Sequence, residues 1–96
     1  MKRINCYAKG RRLEYKTKKE LECAGFFVVR QAKSAFPDII AFRPGIIIAA
    51  ECKCNGRLAK REIHNLRQIR KKGAVPYLAH PVRDGRRVKI KFKEIF

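Results

Sequence analysis

The sequence predicts an α/β domain with a mixed central β-sheet flanked by helices, in the order αβββαββ. Two observations carry this. Two segments place apolar residues three and four apart and end at a glycine, the mark of an amphipathic helix closed by a left-handed cap. Between and after them lie short apolar or alternating runs, rich in β-branched and aromatic residues and bounded by Pro and Gly. Ninety-six residues allow one domain, spanning 1–96.

The first helix is read from about Arg11 to Ala24, with Leu13, Thr17, Leu21 and Ala24 on one face and Gly25 as its stop. Phe26-Phe27-Val28-Val29-Arg30 reads as a strand buried on both faces, and Gln31 to Phe36 as a polar connection. Pro37 to Phe42 and Ile46 to Lys53 read as two further strands, joined by the turn Arg43-Pro44-Gly45. The third strand is central by its apolarity. A second helix is expected from about Leu58 to Lys72, with Ala59, Ile63, Leu66 and Ile69 as its core stripe and Gly73 as its end. Ala74 to Ala79 follows as a strand parallel to the third, since a helix separates them. Pro81 and Asp84-Gly85 mark the next turn. In the tail Val88, Ile90 and Phe92 alternate with Lys89, Lys91 and Lys93, the pattern of a half-exposed edge strand guarded by lysines.

Charge bounds the function. Twenty-five Lys and Arg stand against eight Asp and Glu, for a net charge of +17. A small domain so charged repels itself, so a polyanionic partner is expected, with nucleic acid first and an anionic membrane surface second. No apolar stretch approaches the ~20 residues of a membrane span, and the N-terminal residues lack the apolar segment of a signal peptide. A soluble, cytoplasmic protein is expected. Of the four cysteines, Cys6, Cys23, Cys52 and Cys54, only the last two are close. His64 and His80 are remote from them in sequence, so small buried thiols are the reading rather than a zinc site.

The acids are few, yet Asp38 and Glu51 sit inside the two most apolar runs. A buried carboxylate is costly unless it is paired or holds a metal. With Arg43 and Ile46 flanking a two-residue loop, paired positions place Asp38 opposite Glu51, with Cβ atoms ~5 Å apart on one face. Lys53, two residues on, shares that face, and Cys52 and Cys54 turn to the other. Two carboxylates so close repel unless a cation lies between them. A hard divalent ion such as Mg²⁺ suits them, with the Cys52 carbonyl as a further oxygen. Such an ion activates a water at a phosphate, and Lys53 would position that water or offset transition-state charge. A plain ion pair between strands would need only one acid per base.

Asp38 and Glu51-Cys52-Lys53, with Pro37 ahead of the Asp, resemble the PD-(D/E)xK nuclease signature and its restriction-endonuclease-like core. Lys9-Gly10 followed by Glu14, then Gly25 to Arg30, then Ser34 four residues before Asp38, resemble the archaeal Hjc-type Holliday junction resolvases. The likeness is close from Lys9 to about Lys53 and continues as helix and strands. It implies a homodimeric, structure-selective DNA endonuclease that resolves four-way junctions, with Mg²⁺ as cofactor and Mn²⁺ as a substitute. In the family the helix Glu joins the Asp and Glu around the metal, which points to Glu14, and the family's Ser is matched by Ser34. Tyr15 departs from the pattern, standing where a basic residue is common. A smaller nuclease of the same superfamily, of the VRR-NUC group and cleaving duplexes or flaps, would show much the same core, with Gln68 as its helix Gln. A non-catalytic basic binder would explain the charge but not the register. The expected site is therefore Glu14, Asp38, Glu51, Lys53 and Ser34 for catalysis. Glu14, Asp38, Glu51 and Cys52 hold metal, and Lys9, Arg11, Arg12, Arg30 and Lys33 hold DNA phosphates.

Overall fold

The computed structural model describes residues 6–32 and 35–96, with side chains described from residue 10 onward. The elements run α1 (Cys6–Cys23), β1 (Phe27–Arg30), β2 (Ile39–Arg43), β3 (Ile46–Cys52), α2 (Lys60–Lys71), β4 (Val75–Asp84) and β5 (Arg87–Glu94). The five strands form one sheet in the order β1-β2-β3-β4-β5. Only β3 and β4 are parallel. They are joined through α2, as a parallel pair requires.

α1 lies across one face of the sheet. Leu21 packs there on Val28, Ile39, Ala41, Ile48 and Ala50, with Tyr77 and Phe92 at the margin. Thr17 is fully buried in this interface and donates its hydroxyl to the Leu13 carbonyl at 2.7 Å, so no polar atom is orphaned. The helix closes at Gly25 (φ 89°), where the Phe26 N–H reaches the Leu21 carbonyl and the Gly25 N–H reaches the Glu22 carbonyl. This pair of bonds is the Schellman arrangement, and its positive φ suits glycine. α1 begins at Cys6 rather than Arg11, because good helix formers extend a nucleated helix without an apolar stripe.

α2 covers the opposite face chiefly over β4. Leu66 is its fully buried anchor. Ala59 is an exposed N-cap rather than part of the apolar stripe. Full burial of Ile39 and of Leu66 contributes roughly 1.5–3 kcal/mol each. At the C-terminal end, Arg70 donates to the Ile95 carbonyl and the Glu94 carboxylate, each at 2.7 Å, and so ties α2 to the last strand.

Two expectations are corrected. β1 is an edge strand and not buried on both faces: Val28 is buried, but Phe27 and Val29 are 64% and 41% exposed. Local apolarity does not encode a strand's place in a sheet. Pro81 does not end β4, which continues to Asp84 with Pro81 opposite Ile90. β3 pairs with β4 only as far as Ala79, so an absent N–H on that open side breaks no ladder bond. The alternating tail is the other edge strand, with Lys89, Lys91 and Lys93 exposed and Phe92 packed edge-on to Tyr77. No helix among the described residues is long and apolar enough to cross a membrane.

Candidate active site

The β2–β3 hairpin builds the centre of the site. Arg43 pairs with Ile46 across Pro44-Gly45, and Ile39 pairs with Ala50. Gly45 takes φ 86°, the positive value that the third position of a type II turn needs after proline. One step beyond the last ladder pair, Asp38 and Glu51 meet reciprocally. The Glu51 Oε1 accepts the Asp38 backbone N–H at 2.9 Å, and the Asp38 Oδ2 accepts the Cys52 N–H at 2.9 Å. Both acids are buried, at 8% and 5% exposure. Alternation along β3 puts Ile48 and Ala50 under α1 and turns Glu51 to the other face, while the Cys52 sulfur lies 3.7 Å from the Thr17 hydroxyl.

Burial and its neighbour's charge push the Glu51 carboxyl up to about 7. Burial also raises Asp38, with the Glu14 charge adding to it and the Cys52 N–H opposing. Two acids that resist ionisation side by side are a poor structural device but a good cation seat. Burial pushes the Cys52 thiol up to about 12, which keeps it a neutral packing group.

The acids open into a cavity of about 500 Å³. α1 contributes Glu14 to its wall, β1 contributes Arg30, and α2 contributes Glu62 and Arg61. Four of the expected site residues, Glu14, Asp38, Glu51 and Lys53, thus line one cavity, together with Cys52 and two of the expected phosphate-binding residues, Arg11 and Arg30. Arg12 lies outside it, on a second cleft. Lys33, Ser34 and the Lys9 side chain lie outside the described residues.

Two partnerships differ from the sequence reading. Glu14, expected at the metal, and Arg30, expected at DNA phosphates, pair with each other at 3.1 Å. Lys53 does not stand beside Glu51 unattended: its amine meets the Glu62 carboxylate at 2.5 Å. That bond, above all, raises Lys53. Burial alone would raise Glu62, but its Lys53 and Ala59 donors outweigh it and hold the carboxyl below its usual range. Glu62 was missed. Its signal was a Glu three residues after the N-cap, since the Glu62 Oε1 accepts the Ala59 N–H at 2.8 Å. Tyr15 fills the departure noted above by holding cations itself. The Arg30 guanidinium lies 4.5 Å from its ring and donates to its hydroxyl at 3.3 Å, with Arg11 at 5.9 Å on the same ring.

Among the described residues no three His, Cys, Asp or Glu side chains converge on one point as they stand. Glu14 is drawn to Arg30 and Glu62 to Lys53, which leaves Asp38 and Glu51 as the central pair. The donor set is nonetheless all carboxylate oxygen, the chemistry of a hard divalent ion.

The sequence model described as archaeal Holliday junction resolvase (Hjc) matches residues 5–95. The chain belongs to the Hjc family. Its relative in Methanocaldococcus jannaschii, the crossover junction endodeoxyribonuclease Hjc, is 37% identical over 78 residues, covering 76% of this chain. The match takes in 59% of that relative, so the chain spans less than two thirds of its length. The structure of Archaeoglobus fulgidus Hjc, a Holliday junction resolvase, is similar with a TM-score of 0.73 and 30% identity. That likeness covers 91% of this Hjc-family chain and 73% of the other.

Proposed function

We propose that this Hjc-family chain is a divalent-metal-dependent endonuclease that resolves four-way DNA junctions, with Mg²⁺ as its ion. The observation that carries this is the pair Asp38 and Glu51, opposed across a hairpin and buried at the mouth of a cavity that Lys53 and three arginines share. Family membership and the relatives' names support the junction as substrate. A bound divalent ion supplies the polarised water and the charge that stabilises a departing oxygen. Asp38 and Glu51 would hold it, with Glu14 released from Arg30 to join them.

The remaining work falls to the chain's own groups. With Glu14 as a metal ligand, Arg30 would be free to hold a phosphate oxygen beside the site. Lys53, kept charged by Glu62, faces the reacting phosphate and offsets its developing negative charge. Asp38 and Glu51 keep their backbone hydrogen bonds, which fix the carboxylates before substrate arrives.

Labelled four-way junctions, linear duplexes and flaps incubated with and without Mg²⁺ test this. Wild-type protein should cut junctions only with the ion. Asp38→Asn should lose cleavage by at least about a hundredfold, the scale of a lost electrostatic catalytic group, while binding the junction as tightly as wild type or tighter. Full activity of Asp38→Asn at saturating Mg²⁺ would remove the site assignment. Equal cutting of duplexes would replace the junction reading with a general nuclease.

A further inference from the structure

A second cleft, of about 480 Å³, lies between α1 and the β4–β5 hairpin. Its walls carry Arg12 and Lys16 from α1 and Arg83 from β4, and its floor is Leu13, Val88 and Ile90. Among the described residues no carboxylate lines it. The hairpin that forms one wall is unusual. β3 stops pairing at Ala79, but β4 and β5 continue together from His80–Lys91 to Asp84–Arg87. Five residue pairs therefore project past the sheet as a two-stranded ribbon, roughly 17 Å at the strand rise. Val82 to Lys89 is exposed throughout, and it carries Arg83, Arg86, Arg87 and Lys89. Lys16 donates to the Val88 carbonyl at 2.5 Å and docks the ribbon against α1.

The two cavities share a wall. Successive residues of α1 divide between them: Gly10, Arg11 and Glu14 face the catalytic cavity, while Arg12, Leu13 and Lys16 face the second cleft. On the other side the chain passes from Lys53 in the first to Cys54 in the second. Arg11 at the first cavity and Arg12 at the second are neighbours on α1, so cationic side chains border both.

We propose that the α1–hairpin cleft is a phosphate-binding groove that holds the backbone of a DNA arm away from the point of cleavage. The inference rests on the nuclease reading above for the point of cleavage, but not for the binding itself. Arg12 and Arg83 would each face a phosphate, and the apolar floor would lie against the deoxyribose edge. Charge without a carboxylate is what a backbone groove needs and what a protein partner's mixed surface does not.

The test is binding in the absence of divalent ions. Long-armed junctions carry a short window of neutral methylphosphonates, walked outward from the branch point. Wild-type protein should lose affinity at one window removed from the branch. Arg12→Gln/Arg83→Gln, with both changes at exposed side chains, should be insensitive to that window. Its log–log salt slope should be smaller by about 2, the loss of two phosphate contacts. Lys71→Gln/Lys72→Gln removes equal charge from the opposite end of the molecule and should keep the wild-type window. If no window distinguishes Arg12→Gln/Arg83→Gln from wild type, the groove is refuted. If a window is found but no DNA is cut with any divalent ion, the groove stands and the nuclease reading falls.

Discussion

Glu51 is the residue on which the site's electrostatics turn. Its carboxyl is held up near 7 because burial and Asp38 both oppose its charge. In the unfolded chain it ionises near its ordinary value of 4.5. Between those values the folded state holds the proton and the unfolded state has released it. Stability of the metal-free protein therefore falls as pH rises through that window, by at most about 3 kcal/mol. Asp38 is shifted in the same direction and adds to the fall. Chemical denaturation in chelator from pH 4 to 8 should show this slope, and Glu51→Gln should flatten most of it. A wild-type profile that rises between pH 4.5 and 7 would contradict the burial assigned to the pair. Glu62 makes a second case at this scale, because it serves both the α2 N-terminus and Lys53. Glu62→Gln keeps an acceptor for the Ala59 N–H and loses the ion pair, whereas Glu62→Ala loses both. The alanine variant should be less stable than the glutamine one by about 1 kcal/mol, the worth of a cap bond. Equal midpoints would mean the cap contributes nothing.

At the scale of elements, the β2–β3 hairpin decides the chemistry. A one-residue slip would turn Asp38 and Glu51 to opposite faces, so the Pro44-Gly45 turn positions the site from across the length of both strands. Gly45→Ala should cost about 1 kcal/mol, because φ 86° strains any β-carbon. Nothing crowds that position, so the loss is backbone strain alone. Thermal unfolding should show the lower midpoint, and a midpoint unchanged from wild type would mean that the turn relaxes. This hairpin was readable in the residues: a Pro-Gly turn between two apolar runs sets the pairing, and the observed partners follow it. Local segments such as α2's stripe around Leu66 were readable for the same reason. What was not readable came from packing between distant elements. Nothing near Lys53 in the chain shows that the docking of α2 will deliver Glu62 to it, and nothing near Glu14 shows Arg30 arriving from β1. The edge position of β1 was hidden likewise, since Phe26 to Val29 are as apolar as a buried strand.

At the scale of the molecule, the uneven cover of the sheet matters most. α1 closes one face, but α2 packs chiefly over β4 on the other, and apolar side chains of β1 to β3 on that second face are exposed. Phe27, Val29, Phe42 and Ile47 are exposed there at 41–64%, with Phe27 and Phe42 in contact at a ring separation of 5.3 Å. The C-terminal strand offers less apolar surface: Phe92 is in the core margin, and Val88 and Ile90 line the second cleft. A homodimer, proposed here to match the twofold symmetry of the proposed junction substrate, would find its seat on the β1–β3 face. Phe27, Val29, Phe42 and Ile47 are all uncharged, so the proposed contact would not oppose like charges of a +17 chain at those positions. Asp38 and Glu51 lie at the end of the same face. Phe27→Lys/Phe42→Lys places four ammonium groups in the proposed interface and touches no buried side chain. Light scattering should find wild type a dimer and this variant a folded monomer, and the variant should nick a cruciform plasmid where wild type linearises it. Mixing wild type with Glu51→Gln subunits should also give mostly nicked product, because a mixed dimer has one competent site. A wild-type monomer at concentrations that give full junction cleavage would overturn the dimer, and a dimeric Phe27→Lys/Phe42→Lys protein would move it to another face.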